Sequence, residues 1–213
     1  MLHITCALKH EAGPLAEYFQ LQHDGGVRNF PVYSNSDTGI TLITSGPGMT
    51  SMESATRFAA DYHRAGSTDC WLNIGIAGHA SLPAGTPVLA NHVYCSVSGQ
   101  SWNPGRFTGI SIQMLPLRTV PVPSSDYRED QMFDMEAAGF CAVAAAVSTL
   151  DRLYCLKVIS DNRLQSIHGI SAGSVRKLVT RNLPLIGSLV DRLQGHPAAT
   201  ANDLNARDLK STA

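Results

Sequence analysis

Two spacings of apolar residues take turns along this chain, one suited to strands and one to helices. Leu2 to Leu8 reads as a strand, and Glu11 to Gln20 as a helix with Leu15, Tyr18 and Phe19 on one face. Phe30 to Tyr33 and Ile40 to Thr44 form a hairpin through Asn35-Ser36-Asp37-Thr38-Gly39. Ser45-Gly46-Pro47-Gly48 is a tight turn leading into an Ala-rich helix from Met49 to Arg64. Cys70 to Ile76 is a buried strand that breaks at Gly75-Ile76-Ala77-Gly78, and Pro87 to Val97 is another, opened by Pro83-Ala84-Gly85. Ser98 to Thr108 is polar and reads as a loop. Ile110 to Leu115 and Arg118 to Val122 are short strands whose prolines favour edges or ends. Met135 to Leu150 is a helix, and Leu153 to Ile159 returns to the sheet. Val175, Leu178, Val179, Ile186, Leu189, Val190 and Leu193 mark a last amphipathic helix, which Pro184 is expected to kink or split.

Strands alternate with helices through most of the chain, which predicts an α/β fold. The expected architecture is a single-domain three-layer sandwich over residues 1–194, with a mixed central β-sheet flanked by helices. Residues 195–213 are rich in Ala, Asn, Asp and Thr with almost nothing to bury, and read as a disordered tail. A chain of 213 residues, 44% hydrophobic, is long enough for one substantial core.

Charge narrows the partners. Only 15% of residues are charged, the formal net charge is -1, and Lys and Arg are scattered. A nucleic-acid or anionic-membrane partner calls for a basic stripe, and sparse aromatics argue against a base-stacking platform. Cys6, Cys70, Cys95, Cys141 and Cys155 are widely spaced, odd in number and without a CxxC pair, so neither zinc nor redox chemistry is signalled. The eight histidines, His79 and His168 among them, form no metal-ligand spacing. The first residues do not form a signal peptide, and no apolar stretch spans a bilayer. The expectation is a reduced, cytoplasmic, soluble protein with no metal and no cofactor.

Two segments carry the chemistry. Asp134-Met135-Glu136 opens an uncharged stretch, and Ser160-Asp161-Asn162 closes the apolar run that begins at Leu153. The first reads as the start of a buried helix, the second as an interior strand delivering a carboxylate at its C-terminal end. Open α/β sheets place ligands outside those carboxyl ends. The plain alternatives are a helix cap at Asp134, a first-turn acid at Glu136 and a turn-opening Asp161.

With these segments in order, the chain resembles the nucleoside phosphorylase and nucleosidase superfamily, and within it the 5′-methylthioadenosine/S-adenosylhomocysteine nucleosidases. Asp134-Met135-Glu136-Ala137-Ala138 is similar to the family's acidic-Met-Glu-Ala helix start, and Ile159-Ser160-Asp161 to its strand-end Ser-Asp. Ser45-Gly46-Pro47-Gly48-Met49 resembles its glycine turn, and Asn73-Ile74-Gly75-Ile76-Ala77-Gly78 its central glycine-rich strand end. Glu11 stands just after the first strand, where nucleosidases keep a glutamate.

The resemblance implies cleavage of an N-glycosidic bond in an adenosine derivative. Such a reaction needs an acid for the leaving base, a stabiliser for the ribosyl cation and a positioned nucleophile. Asp161 would protonate the purine, beside Ser160. Glu136 would accept the ribose hydroxyls with Met135 against the sugar, and Glu11 would activate water. Lys157 is expected to reach the nucleophile site, and Gly48, Ala77 and Gly78 to line the pocket. Tyr127 would stack on the base, although it reads equally as a loop residue, and backbone around Val122 and Pro123 would read the purine edge. Phosphorylases of the superfamily hold phosphate with Arg and Ser or Thr on the central strand. The matching Asn73 and Ile76 supply neither charge nor hydroxyl, which favours water. Ile76 also stands where nucleosidases commonly have Ser, and the segment from Val97 to Phe133 is shorter than in typical members. The alternatives are a phosphate-dependent purine nucleoside phosphorylase and a catalytically silent nucleoside-binding protein. The family also implies a homodimer or higher homo-oligomer.

Overall fold

A computed structural model describes residues 1–107, 110–123, 127, 129–164 and 170–195. Of the tail expected over 195–213, residues 196–213 lie outside the described residues, as does His168. In chain order the strands are β1 (Leu2–Cys6), β2 (Gln22–His23), β3 (Val32–Asn35), β4 (Ile40–Thr44), β5 (Cys70–His79), β6 (Pro87–Cys95), β7 (Ser101–Trp102), β8 (Gln113–Thr119), β9 (Met132–Asp134) and β10 (Leu153–Asp161). The helices are α1 (Lys9–Tyr18), α2 (Met49–Tyr62), α3 (Ala137–Val147) and α4 (Ala172–Leu193).

The centre of the sheet is parallel: β1 lies between β4 and β5, and β5 continues to β10. β1, β4 and β10 are buried at every position, as strands covered on both faces must be. Leu2, Ile4, Leu72, Ile74 and Leu156 meet Leu15, Val179 and Ile186 on the side of α1 and α4. Trp71, Cys155 and Ile159 meet Met52, Ala55, Phe140 and Cys141 on the side of α2 and α3. The result is a mixed central sheet between two helical layers. Gly139 lets α2 and α3 touch, because a Cβ there would overlap the Met49 carbonyl.

Beyond β10 the sheet curls. β10 pairs with β6, β6 with β8, β8 with β9, and β9 returns antiparallel to Gly78 and His79 of β5. This closed ring carries β9, and with it Asp134 and the start of α3, over the carboxyl end of β5.

Several expectations need correction. α3 starts at Ala137 rather than Met135, with Glu136 as its flanking residue; Asp134 ends β9, and its carboxylate still accepts from the first N–H of the helix. β5 runs through its glycines to His79, because Gly75 and Gly78 make room for neighbouring side chains rather than for a turn. Ile110 to Val122 holds one strand instead of two, and Pro116 sits at the register shift between β6 and β8, where a bulge leaves its missing N–H harmless. The polar stretch from Ser98 contains the short β7. α4 is not split: Pro184 lies on its exposed face, and the buried stripe packed on α1 keeps the helix continuous.

Candidate active site

The carboxyl ends of β1, β4, β5 and β10 point the same way, and a cleft of about 620 Å³, open to solvent on one side, lies beyond them. Its wall includes Glu11, Ala77, Gly78, Tyr127, Met135, Glu136, Ser160 and Asp161. The three acids separated by up to 150 positions in the chain therefore share one cavity, each delivered by a different element.

Glu11 is the third residue of α1 and turns back over the helix start. Its Oε2 accepts from the backbone N–H of Ala7 (3.0 Å) and Leu8 (2.9 Å), and Oε1 accepts from Ile76 N–H at 3.0 Å. Only 1% of the residue is exposed. Burial pushes the carboxyl up to about 7, against the backbone donors and the Lys157 charge that pull it down.

Glu136 sits half-buried at the start of α3. Gly48 donates its N–H to Oε1 at 2.8 Å, a direction its φ of 94° permits and a side chain would resist. Burial again pushes the Glu136 carboxyl up, helped by nearby Asp134 and opposed by Lys157. Asp161 is buried at the last position of β10. Ser160 donates its hydroxyl to Oδ1 at 2.6 Å, and the Tyr127 hydroxyl donates to Oδ2. Tyr127 packs on Phe133 with ring centroids 5.3 Å apart, and its phenol fills the space a Cβ on Gly78 would need.

Under this floor lies a buried polar chain. Lys157 Nζ meets Asp134 Oδ2 at 2.9 Å and donates to Asn73 Oδ1 at 2.7 Å. Asn73 donates in turn to Thr5 Oγ1 at 3.0 Å. Asp134 also accepts from Thr119 Oγ1 (2.7 Å) and from Ala137 N–H (2.8 Å), which fixes the first turn of α3. Burial pulls the Lys157 ammonium down, but Asp134 and Glu136 beside it outweigh burial and hold it charged.

Lys157 is thus beneath the cavity rather than on its wall, tied to Asp134 instead of reaching toward a nucleophile. Val122 is not brought to the cavity either; it is 65% exposed, while its neighbours Val120 and Pro123 line the wall. Gly48 acts through its N–H on Glu136, and Pro47 beside it lines the cleft. Tyr127 stands at Asp161 rather than free in a loop. Phe133 and Val120 are wall residues that sequence reading missed; Phe133 directly precedes the acidic motif, the one signal that could have found it. His79 is packed, its Nδ1 accepting from Ser81 and Leu82 N–H at 3.1 Å. Among the described residues no group of three His, Cys, Asp or Glu could hold a metal ion, and no helix is long and apolar enough to cross a membrane.

No family model matches the sequence, and no curated protein matches it. Solved structures do. The 5′-methylthioadenosine/S-adenosylhomocysteine nucleosidase of Helicobacter pylori, solved with butyl-thio-DADMe-Immucillin-A, matches with a TM-score of 0.72 over 90% of this chain and 97% of its own, at 14% identity. The chain has the nucleosidase fold. The corresponding enzyme of S. pneumoniae, with the transition-state inhibitor MT-ImmA, gives 0.69 over 91% and 98% at 17% identity. The futalosine hydrolase of Helicobacter pylori gives 0.70 over 90% and 97% at 15%. In its nucleosidase fold this chain places the acid-lined cleft at the carboxyl ends of the parallel strands, where such sheets bind ligands.

Proposed function

We propose that this protein is a purine nucleosidase that hydrolyses the N-glycosidic bond of an adenosine derivative, releasing the free base and a ribosyl product. The observation that carries the reading is the convergence of Glu11, Glu136 and Asp161 on one cleft, in a fold shared with proteins named as nucleosidases and solved with immucillins. Asp161 serves as the acid for the purine nitrogen as the bond lengthens. Glu136 accepts the ribose hydroxyls and lies against the developing positive charge, with Met135 on the sugar. Glu11 takes a proton from the attacking water: each of its oxygens has two lone pairs, and Oε1 uses one for Ile76. A value of about 7 suits a general base working near neutrality. Ala77, Gly78 and Ser160 shape the base and sugar walls.

Water rather than phosphate is favoured as nucleophile. Among the described residues lining the cleft none is cationic, and the Lys157 ammonium is committed to Asp134 and Asn73. A homo-oligomer in the cytoplasm completes the reading; five buried, unbridged cysteines suit a reducing compartment.

The test is release of free purine base from a panel of 5′-substituted adenosines, with phosphate varied. Asp161→Asn should lower the rate at least ~100-fold, as loss of a general acid does, while ligand binding stays measurable. Phosphate-dependent formation of ribose 1-phosphate would establish a phosphorylase. Binding of adenosine analogues without turnover by the unaltered protein would establish a silent binding protein.

A further inference from the structure

The cavity is short of positive charge. Four carboxyl groups, Glu11, Asp134, Glu136 and Asp161, face it or its floor; with Asp161 holding the proton it donates, three are left to ionise, and the described groups set one ammonium against them, that of Lys157. The remaining titratable groups packed around that ammonium are thiols: Cys6 on β1, Cys155 on β10 and Cys141 on α3. Burial pushes the Cys6 and Cys141 thiols up, so they stay neutral and add no cation.

Lys157 lies where it can act on all of these elements at once. Through Asn73 it reaches Thr5 of β1, the strand that leads to Glu11. Through Asp134 it reaches the first turn of α3, where Glu136 stands. Along its own strand it is four residues before Asp161. Glu11 Oε1 and Lys157 Nζ each lie 3.3 Å from the point a Cβ on Gly75 would occupy, so the two charges are at most twice that distance apart with no side chain between them.

We propose that Lys157 is a positioning residue that sets the charge balance of the cleft from below: it favours the ionised forms of Glu11 and Glu136 while leaving the cavity net negative for the cation that develops on the ribosyl ring. The inference rests on the nucleosidase reading and deepens it. A site that is complementary to the transition state rather than to the neutral substrate has its deficit where the charge appears. A cation on the cavity wall would cancel that deficit; one beneath the floor, held by Asp134, tempers it.

The experiment measures kcat/KM against pH for the unaltered protein, Lys157→Met, Lys157→Arg and Asp134→Asn. The limb that rises with pH reports ionisation of Glu11 in the free protein. It should move up by about 1–2 pH units in Lys157→Met, since an opposite charge at this range shifts a carboxyl by that much. Lys157→Arg should leave the limb within about half a unit, and Asp134→Asn, which frees the whole ammonium charge, should move it down. A merely structural lysine would change the height of the profile and not its position. The pH dependence of unfolding stability in the same variants reads Glu11 without turnover. If the limb and the stability window stay in place in both Lys157→Met and Asp134→Asn, the proposal is overturned, and should Lys157→Met fail to fold, Asp134→Asn decides alone. Absence of base release by the unaltered protein would instead sink the nucleosidase reading, with the stability measurement still deciding the role of Lys157.

Discussion

Glu11 offers the sharpest test of the site's electrostatics, because its ionisation is tied to folding. Its carboxyl stands at about 7 in the folded chain against 4.5 for an exposed glutamate, chiefly through burial. The folded state therefore holds this proton more tightly than the unfolded state does. Stability is greatest below about 4.5, falls as pH rises toward 7 and is flat above, since there both states have lost the proton. At 1.36 kcal/mol per unit the fall amounts to about 3 kcal/mol. Glu11→Gln removes the titration. Its amide keeps one acceptor but turns an NH2 toward the backbone donors of Ala7, Leu8 or Ile76, a loss of about 1–3 kcal/mol that does not vary with pH. The assay is urea unfolding of both proteins at half-unit steps from pH 4.5 to 8.5, with the difference in stability plotted against pH. Every other titrating group contributes to both curves, so the difference isolates Glu11 and its coupling to Glu136. The expected result is a variant that gains about 3 kcal/mol on the parent across this window. A difference that stays flat would refute the reasoning, since the carboxyl would then be ionised as freely in the fold as in water.

Two further outcomes test the packing around the cleft. Gly139→Ala adds a Cβ against the Met49 carbonyl, so α2 and α3 must separate; despite better helix propensity, stability should drop by about 1–3 kcal/mol, read as a lowered Tm. A raised Tm would mean that the helices do not meet there. Tyr127→Phe removes one of the two donors to the Asp161 carboxyl among the described residues and keeps the ring on Phe133. Any base that bonds to Oδ2 must displace the phenol, so adenine should bind the variant up to about tenfold more tightly in calorimetry, the worth of a hydrogen bond to a carboxylate. Equal or weaker binding would show that the phenol does not compete.

What was legible in the sequence is what local spacing can carry. The apolar run from Leu153 and the stripe from Val175 to Leu193 had to be strand and helix, since no other conformation buries those positions together. The glycines were harder. Gly75 and Gly78 look like a strand's end, yet they are small so that Glu11, Lys157 and Tyr127 can come close, a requirement set by residues far away in the chain. Pro184 looked like a break because its effect on hydrogen bonding is local, while the packing that holds α4 together is not. Lys157 and Val122 were misplaced for a related reason: strand position says on which face a side chain lies, not what waits there.

The sequence by itself determined the layers, the mixed character of the sheet and which acids stood at element ends, because hydrophobic period and turn chemistry act over a few residues. Only the tertiary structure decided that these acids meet. Glu136 is held by Gly48 across 88 positions and Glu11 by Ile76 across 65. The ring through β6, β8 and β9 brings Asp134 onto Lys157. Charges that pass for ordinary caps and strand residues in the chain become a coupled cluster once folding removes the water between them, since electrostatic interaction strengthens as the surroundings lose polarisability.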